Sequence, residues 1–280
     1  MGQLSEIDVA RYGRDGFAFP FRAFPAEEAA RYRAELEAFE AREGAPLTRM
    51  DCKWKPHVRF PWANEIVRTP AILDAVEQLI GPDILVWTAT FFIKEARTPQ
   101  VALWHQDWRF FGLRPHEHVT AWVALSNASQ DAGCMRFVPA KGNLREMRHA
   151  PRASEHSVND AGQRIVEPIA EDEAVPGPLT PGEFSLHHTL SVHASAPNDS
   201  DDRRIGLGIS YIPTRVRQIG TRPVSAMLVR GEDTYGHFDL EDDPTGDEAA
   251  DAARHAEAYK RYRDAYNEQV ELWRLEEGVA

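Results

Sequence analysis

Ile84-Leu-Val-Trp-Thr-Ala-Thr-Phe-Phe-Ile93 is the stretch on which the fold turns. It is rich in β-branched and aromatic residues and reads as a buried strand. Working outward, further strands are expected at 101–105, 119–125, 135–138, 183–188 and 205–212, separated by turns of Pro, Gly, Asn and Asp. Strands broken by turns at short intervals predict an all-β sandwich or barrel rather than alternating βαβ units.

Helical patterns flank this core. Near the start, Tyr12-Gly-Arg-Asp-Gly-Phe-Ala-Phe-Pro20 reads as a strand entered through a glycine turn. A helix then begins at Pro25, carries Glu27 and Glu28 in its first turn and ends at Gly44. Its Ala30, Tyr32, Leu36 and Phe39 recur at helical spacing, giving one packing face. A loop is expected around Trp54-Lys-Pro-His57, and a second helix over 70–80, stopped by Gly81-Pro82. The acidic, proline-rich stretch 151–181 reads as a long excursion loop, a type that often serves as a lid or binding loop. Residues 228–238 suit a site-covering loop and a structural turn equally well. Helix returns over 248–277, where Tyr259, Tyr262, Tyr266, Val270 and Trp273 form a stripe. That stripe reads as a packing face, within the molecule or against a second copy in a homo-oligomer, rather than a cofactor site. The expected organisation is one domain over 1–280, with a helical and strand elaboration at 1–83. A β core follows at about 84–214, then a C-terminal loop and helix at 215–280.

Composition excludes several function classes. At 42% hydrophobic and 27% charged residues, with no apolar run long enough to span a bilayer, a membrane role is not expected. The opening Met1-Gly-Gln-Leu-Ser-Glu6 lacks the basic and apolar regions of a secretory signal. Cys52 and Cys134 cannot make a disulfide framework, so a cytoplasmic location is expected. A net charge of −12 argues against nucleic acid as a partner. Arg215, Arg217 and Arg222 gather locally; they suit either an anion site or a solvated face with a few ion pairs.

His105-Gln-Asp107 carries the chemistry. Residues two apart on a strand project to one face, so this pair can supply two ligands of a facial site. Two imidazoles and one carboxylate on one side of iron(II) leave three positions for a cosubstrate and oxygen. The same spacing recurs at His237-Phe-Asp239, so context must decide. After His105 come strands that can return a third ligand; after His237 only His255 remains, on the expected C-terminal helix. The third ligand should be a histidine followed by an arginine that can grip the distal carboxylate of a cosubstrate, and His193 is followed eleven residues later by Arg204. Along 204–212 one strand face carries Arg204, Gly206, Gly208 and Ser210, and the other Ile205, Leu207, Ile209 and Tyr211. Small residues beside an arginine leave room for a bound diacid, while the apolar face packs outward. Taken singly, His193 reads as a loop histidine and Arg204 as a surface charge. Taken together with His105 and Asp107, they point to a metal site with an anionic cosubstrate.

These residues resemble the phytanoyl-CoA dioxygenase family, whose members depend on iron(II) and 2-oxoglutarate. The resemblance runs from Tyr12-Gly-Arg-Asp-Gly-Phe17 through Trp104-His-Gln-Asp107, Val119-Thr-Ala-Trp-Val-Ala-Leu125 and Gly133-Cys-Met-Arg-Phe-Val-Pro139 to Ser191-Val-His-Ala-Ser-Ala-Pro-Asn198 and Arg204-Ile-Gly-Leu207. It implies a mainly β fold, a double-stranded β-helix (jelly-roll, cupin-like) core with N-terminal and C-terminal helices. It also implies that His105, Asp107 and His193 bind Fe(II), that Arg204 and Ser195 hold the far carboxylate of 2-oxoglutarate, and that Trp122 lines the cosubstrate pocket. Related halogenases replace the carboxylate ligand by a small residue; Asp107 is present, which favours hydroxylation. One departure is Pro139-Ala-Lys-Gly-Asn143, where the family commonly shows Pro-Gly-Ser-His.

The implied reaction hydroxylates an unactivated C–H with O2, forming succinate and CO2, and calls for no separate acid–base pair. The substrate is expected to be a small polar metabolite, amino-acid-like or an aminophosphonate. His57, Phe91, Lys94, Trp108, Arg109 and Arg215 are expected to line its site. Two alternatives stay open: a cupin-like metal-dependent isomerase or hydrolase, in which Arg204 would lack a purpose, and a non-catalytic ligand-binding relative.

Overall fold

The computed structural model describes residues 4–151, 157 and 163–277. The chain opens with α1 (Glu6–Asp15), started by a capping box. The Ser5 hydroxyl accepts the Asp8 N–H at 3.2 Å and the Asp8 carboxylate accepts the Ser5 N–H at 3.1 Å. Gly16, at φ 88°, ends the helix, and β1 (Phe17–Arg22) follows. Tyr12–Asp15 is thus helical rather than part of a strand, because the capping box upstream nucleates the turn that contains it. Between Pro25 and Gly44 lies α2 (Ala26–Glu43), as its boundary residues dictate. The stretch expected as a loop at 54–57 instead leads into two short helices, α3 (Pro56–Arg59) and α4 (Pro61–Val67). Each has proline in its first turn, where the missing N–H costs nothing. Then comes α5 (Pro70–Ile80).

The strands follow: β2 (Ile84–Lys94), β3 (Ala102–His105), then the single turn α6 (Trp108–Phe111), β4 (Leu113–Arg114), β5 (Val119–Ala124), β6 (Met135–Val138) and β7 (His149–Pro151). Within the expected excursion loop sit β8 (Gln163–Ile165) and β9 (Val175–Gly177); residues 152–156 and 158–162 of that loop lie outside the described residues. The chain continues through β10 (Glu183–His188), β11 (Val192–Ser195), β12 (Arg204–Pro213), β13 (Arg217–Gln218), β14 (Ser225–Arg230), β15 (Asp239–Leu240) and α7 (Glu248–Glu277).

One sheet has the order β1-β10-β5-β12-β2-β14-β15, the other β3-β11-β6-β9. All pairings are antiparallel except β14 with β15. Together they form the jelly-roll core. The alternation of β12 decides which face does what. Ile205, Leu207, Ile209 and Tyr211 pack with Ile66, Val67, Ile72 and Val76 of α4 and α5, and the Tyr211 hydroxyl donates to the Val67 carbonyl at 2.8 Å. Burying each of these side chains contributes roughly 1.5–3 kcal/mol. The opposite face, with Arg204, Gly208 and Ser210, turns towards the second sheet and walls a cavity. Cys52 and Cys134 are buried free thiols. Among the described residues no helix is long and apolar enough to cross a membrane.

Candidate metal centre and its cavity

His105 ends β3 and His193 lies on β11, and the two are direct cross-strand partners in the four-stranded sheet. Their rings sit 4.1 Å apart. Asp107 follows β3 at the start of α6. One ligand atom from each of His105, Asp107 and His193 lies within 4.8 Å of the other two, the one such group of three among the described residues. The Nδ1 atoms of both histidines donate to backbone carbonyls, His105 to Leu103 at 2.7 Å and His193 to Ser191 at 3.0 Å. Those bonds fix the tautomers and leave both Nε2 lone pairs facing Asp107 Oδ1, at 3.7 and 3.6 Å.

The electrostatics suit a cation. Burial pushes the His105 imidazole below its ordinary range and the His193 imidazole well below, so both present lone pairs. Burial alone would raise the Asp107 carboxyl, but the facing imidazoles of His193, His187 and His105 prevail and hold it well below the usual carboxylate range. Two buried imidazole nitrogens and a carboxylate oxygen converge on one point, a donor set that fits a divalent metal of the iron type.

Gln106, between the two ligand candidates, locks the turn. Its amide donates to the carbonyls of Arg145 and Leu190 at 2.8 and 2.6 Å. Its carbonyl accepts from the Trp108 indole at 2.8 Å and the Met147 N–H at 2.9 Å, so all its hydrogen-bonding capacity is used inward.

The ligand group opens into a cavity of about 490 Å³ walled by both sheets. Arg204 stands in it, 2% exposed, with its guanidinium over the Trp122 ring at 5.1 Å. One of its nitrogens donates to the Gly133 carbonyl at 3.3 Å, and Nε finds no partner. Among the described residues no carboxylate pairs with it. Burial lowers it to about 10, so it stays a cation at neutral pH. A desolvated cation without a counter-charge is costly unless a ligand anion completes it. Ser195 lines the same wall. The space beside Arg204 that the small residues were expected to leave is partly filled: a Cβ on Gly206 would lie 1.8 Å from the Trp122 ring.

A model described as Phytanoyl-CoA dioxygenase (PhyH) matches residues 12–206, well over half of the chain. The chain belongs to that family. Its fold is shared with the non-heme monooxygenase ThoJ, solved in apo form, at a TM-score of 0.83 and 34% identity over 94% of this chain and 98% of that one. ThoJ has also been solved as a nickel complex, at a TM-score of 0.78, 33% identity and coverage of 93% and 99%. The "Probable alpha-ketoglutarate-dependent hypophosphite dioxygenase" of Stutzerimonas stutzeri is 27% identical over 63% of this chain and 62% of its own. The phytanoyl-CoA dioxygenase domain-containing protein 1 of Danio rerio is 30% identical over 53% and 52%. The chain therefore spans less than two thirds of the length of these two relatives.

Against this PhyH frame the expected substrate residues divide. Phe91 reaches the cavity wall. Lys94 does not: its Nζ donates to Ser195 Oγ at 2.8 Å and to the Ala196 carbonyl, and it lies across the strand pair from Arg204. Burial, and Arg204 beside it, push Lys94 down to about 6. Trp108 is turned away by its indole bond to Gln106, and Arg109 stacks over Trp108 and Trp273. Arg215 is exposed and pairs with Glu117 at 2.6 Å; Arg217 and Arg222 are exposed too, so this cluster is a solvated face. His57 is fully buried behind the wall, 3.4 Å from Glu241, whose carboxylate also takes the buried Lys55 ammonium. His237 and Asp239 are exposed, apart from the ligand group. None of residues 228–238 lines the cavity; Arg230 instead ties that turn to Asp74 and Glu77 of α5.

The cavity wall also includes residues of the C-terminal helix. Tyr262, Arg263, Tyr266, Asn267 and Val270 of α7 line the cavity, so the aromatic stripe is only partly a packing face. Tyr259 does pack, stacked on Trp54 at 5.5 Å. The helical period located the stripe, but nothing local told where the helix docks. Asn198 has no motif that marks it in the sequence. It is buried, donates to the carbonyls of Lys94, Glu95 and Asp202, and accepts from Ser200, shaping the loop that links His193 to Arg204.

Proposed function

We propose that the protein is an Fe(II)/2-oxoglutarate-dependent dioxygenase that hydroxylates a small polar metabolite. The observation that carries this reading is Arg204: a buried guanidinium with no carboxylate partner among the described residues, in the same cavity as two imidazoles and a carboxylate set for a metal. A cupin-like isomerase or hydrolase gives that arginine nothing to bind.

His105, Asp107 and His193 would hold the iron, which when bound supplies the coupling of O2 activation to conversion of 2-oxoglutarate into succinate and CO2. Arg204 would take the far carboxylate of the cosubstrate through charge-assisted hydrogen bonds, with the Ser195 hydroxyl beside it. Lys94 donates to Ser195 Oγ, which orients that hydroxyl's own proton outward, towards an acceptor in the cavity. Trp122 packs under Arg204 and Gly206 and keeps water from that end. A cavity of about 490 Å³ has room for a five-carbon diacid and a small metabolite together. The substrate would lie against the more exposed part of the wall, where Trp54, Phe111, Tyr262, Tyr266 and Asn267 offer aromatic faces and an amide.

The test is an anaerobic titration of the apoprotein with Fe(II) and 2-oxoglutarate, followed by visible absorption. The expected result is a weak charge-transfer band from keto-acid bound to iron. Arg204→Met should raise the 2-oxoglutarate concentration at half-saturation about 100-fold, as loss of a buried charge partner does, with iron binding retained. No band in the wild-type protein with iron demonstrably bound would sink the cosubstrate assignment and favour the cupin-like reading.

A further inference from the structure

We propose that His187 is a positioning residue of the metal centre: with Thr120 it holds one oxygen of Asp107, so that the carboxylate offers a metal the other oxygen alone. The proposal rests on the reading of His105, Asp107 and His193 as the ligand set.

The two oxygens of Asp107 are divided between different neighbours. Oδ1 faces His105 and His193 at 3.7 and 3.6 Å, while Oδ2 meets His187 Nε2 at 3.2 Å and the Thr120 hydroxyl at 3.0 Å. An ionised carboxylate only accepts hydrogen bonds, so Nε2 of His187 carries the proton and donates. Thr120 has one proton, given to Asp107; its oxygen in turn accepts from His118 Nε2 at 3.1 Å. Both donors come from the seven-stranded sheet, where His187 on β10 and Thr120 on β5 are direct cross-strand partners. Asp107 itself leaves the end of β3 in the other sheet. The contact therefore ties the two sheets together at the ligand.

His187 is built into this place. It is 1% exposed, and its ring lies 4.6 Å from His193 and 5.6 Å from Phe137. Its neighbour His188 turns the other way, as strand alternation demands, and accepts the Leu190 N–H at 3.1 Å. Adjacent histidines thus have separate tasks. The consequence is chemical. A carboxylate binding through both oxygens would occupy a further metal position, whereas one oxygen leaves three open for a bidentate keto-acid and O2. Two donors on Oδ2 make the second binding mode unfavourable, since each would lose its acceptor in a buried site.

Cobalt(II) is the probe, because its d–d bands report coordination number without turnover. Full-length apoprotein and the variants His187→Leu, His187→Gln and Thr120→Val would be titrated anaerobically, with affinity and spectrum both read. His187→Leu should weaken cobalt binding about tenfold or more, as loss of an outer hydrogen bond to a ligand does, and should change the d–d spectrum. His187→Gln keeps an N–H donor and should return affinity to within about threefold. Thr120→Val removes the other donor and should shift the spectrum in the same sense, which keeps the test alive should His187→Leu not fold. Wild-type affinity and spectrum in folded His187→Leu or in Thr120→Val would overturn the proposal. A wild-type chain that binds no cobalt, or binds it equally well as Asp107→Ala, would instead overturn the ligand set itself.

Discussion

The buried end of the cavity and its more exposed wall are made in different ways. At the buried end, His193, Ser195, Trp122 and Arg204 come from strands and His105 and Asp107 from the end of one, and each is held by a named contact. The exposed wall takes Lys53, Trp54 and Phe111 from short segments and Tyr262, Arg263, Tyr266, Asn267 and Val270 from α7. That helix lies wholly outside the residues 12–206 that the PhyH family model matches. On the proposed reading, metal and cosubstrate chemistry sit on the shared sheet, and α7 contributes the wall left for a substrate. Family membership informs the first far more than the second.

The sharpest way to break this division is Asp107→Ala. Loss of a ligand should abolish tight iron binding and lower 2-oxoglutarate turnover by about a thousandfold or more, since a bound metal supplies several kcal/mol of stabilisation. Metal content and succinate formation check it. Acid attacks the same end through stability. Burial pushes His118 down to about 3, so it stays neutral in the folded protein while an unfolded histidine titrates near 6.5. Its contribution is full above pH 6.5 and is lost as pH falls towards 3. Between pH 6.5 and 5 the loss is about 2 kcal/mol, readable as a falling urea midpoint of the apoprotein. Hydrogen exchange should show β5 and β10 opening before the α7 face does.

Gly206→Ala sharpens the comparison at smaller scale. The added methyl enters the space of the Trp122 ring and should cost roughly 1–3 kcal/mol in denaturant stability. It should also weaken 2-oxoglutarate binding, because Trp122 carries Arg204. The smallest effect belongs to the exposed wall. Tyr266→Ala should leave iron and 2-oxoglutarate affinities within about twofold, as for sites that share no partners. A large loss of cosubstrate affinity in that variant would erase the distinction between the two ends.

How much of this could be read without coordinates depends on how local the cause is. His105, His193 and Arg204 lie on strands, where a period of two states which neighbours share a face; Asp107, expected on the same strand face as His105, instead sits in the helical turn just past β3 and still meets the two imidazoles. Lys94 and Trp108 defeat the same logic. Both lie near the right stretch, but Ser195 captures the Lys94 amino group and Gln106 the Trp108 indole, and neither acceptor is predictable from spacing. His187 carried no signal beyond being one of two adjacent histidines, since its role depends on Asp107 arriving from the opposite sheet.

By itself the sequence determined what short-range sterics and hydrogen bonding control: the proline and glycine limits of α2 and α5, the length of α7, and the two faces of β12. Tertiary structure alone decided which distant segments meet. The closeness of residues 105, 187, 193 and 204 follows from two sheets packing face to face, and the place of α7 from docking on α3 and α6. Such contacts are set by the summed burial of many side chains, a quantity no single motif encodes.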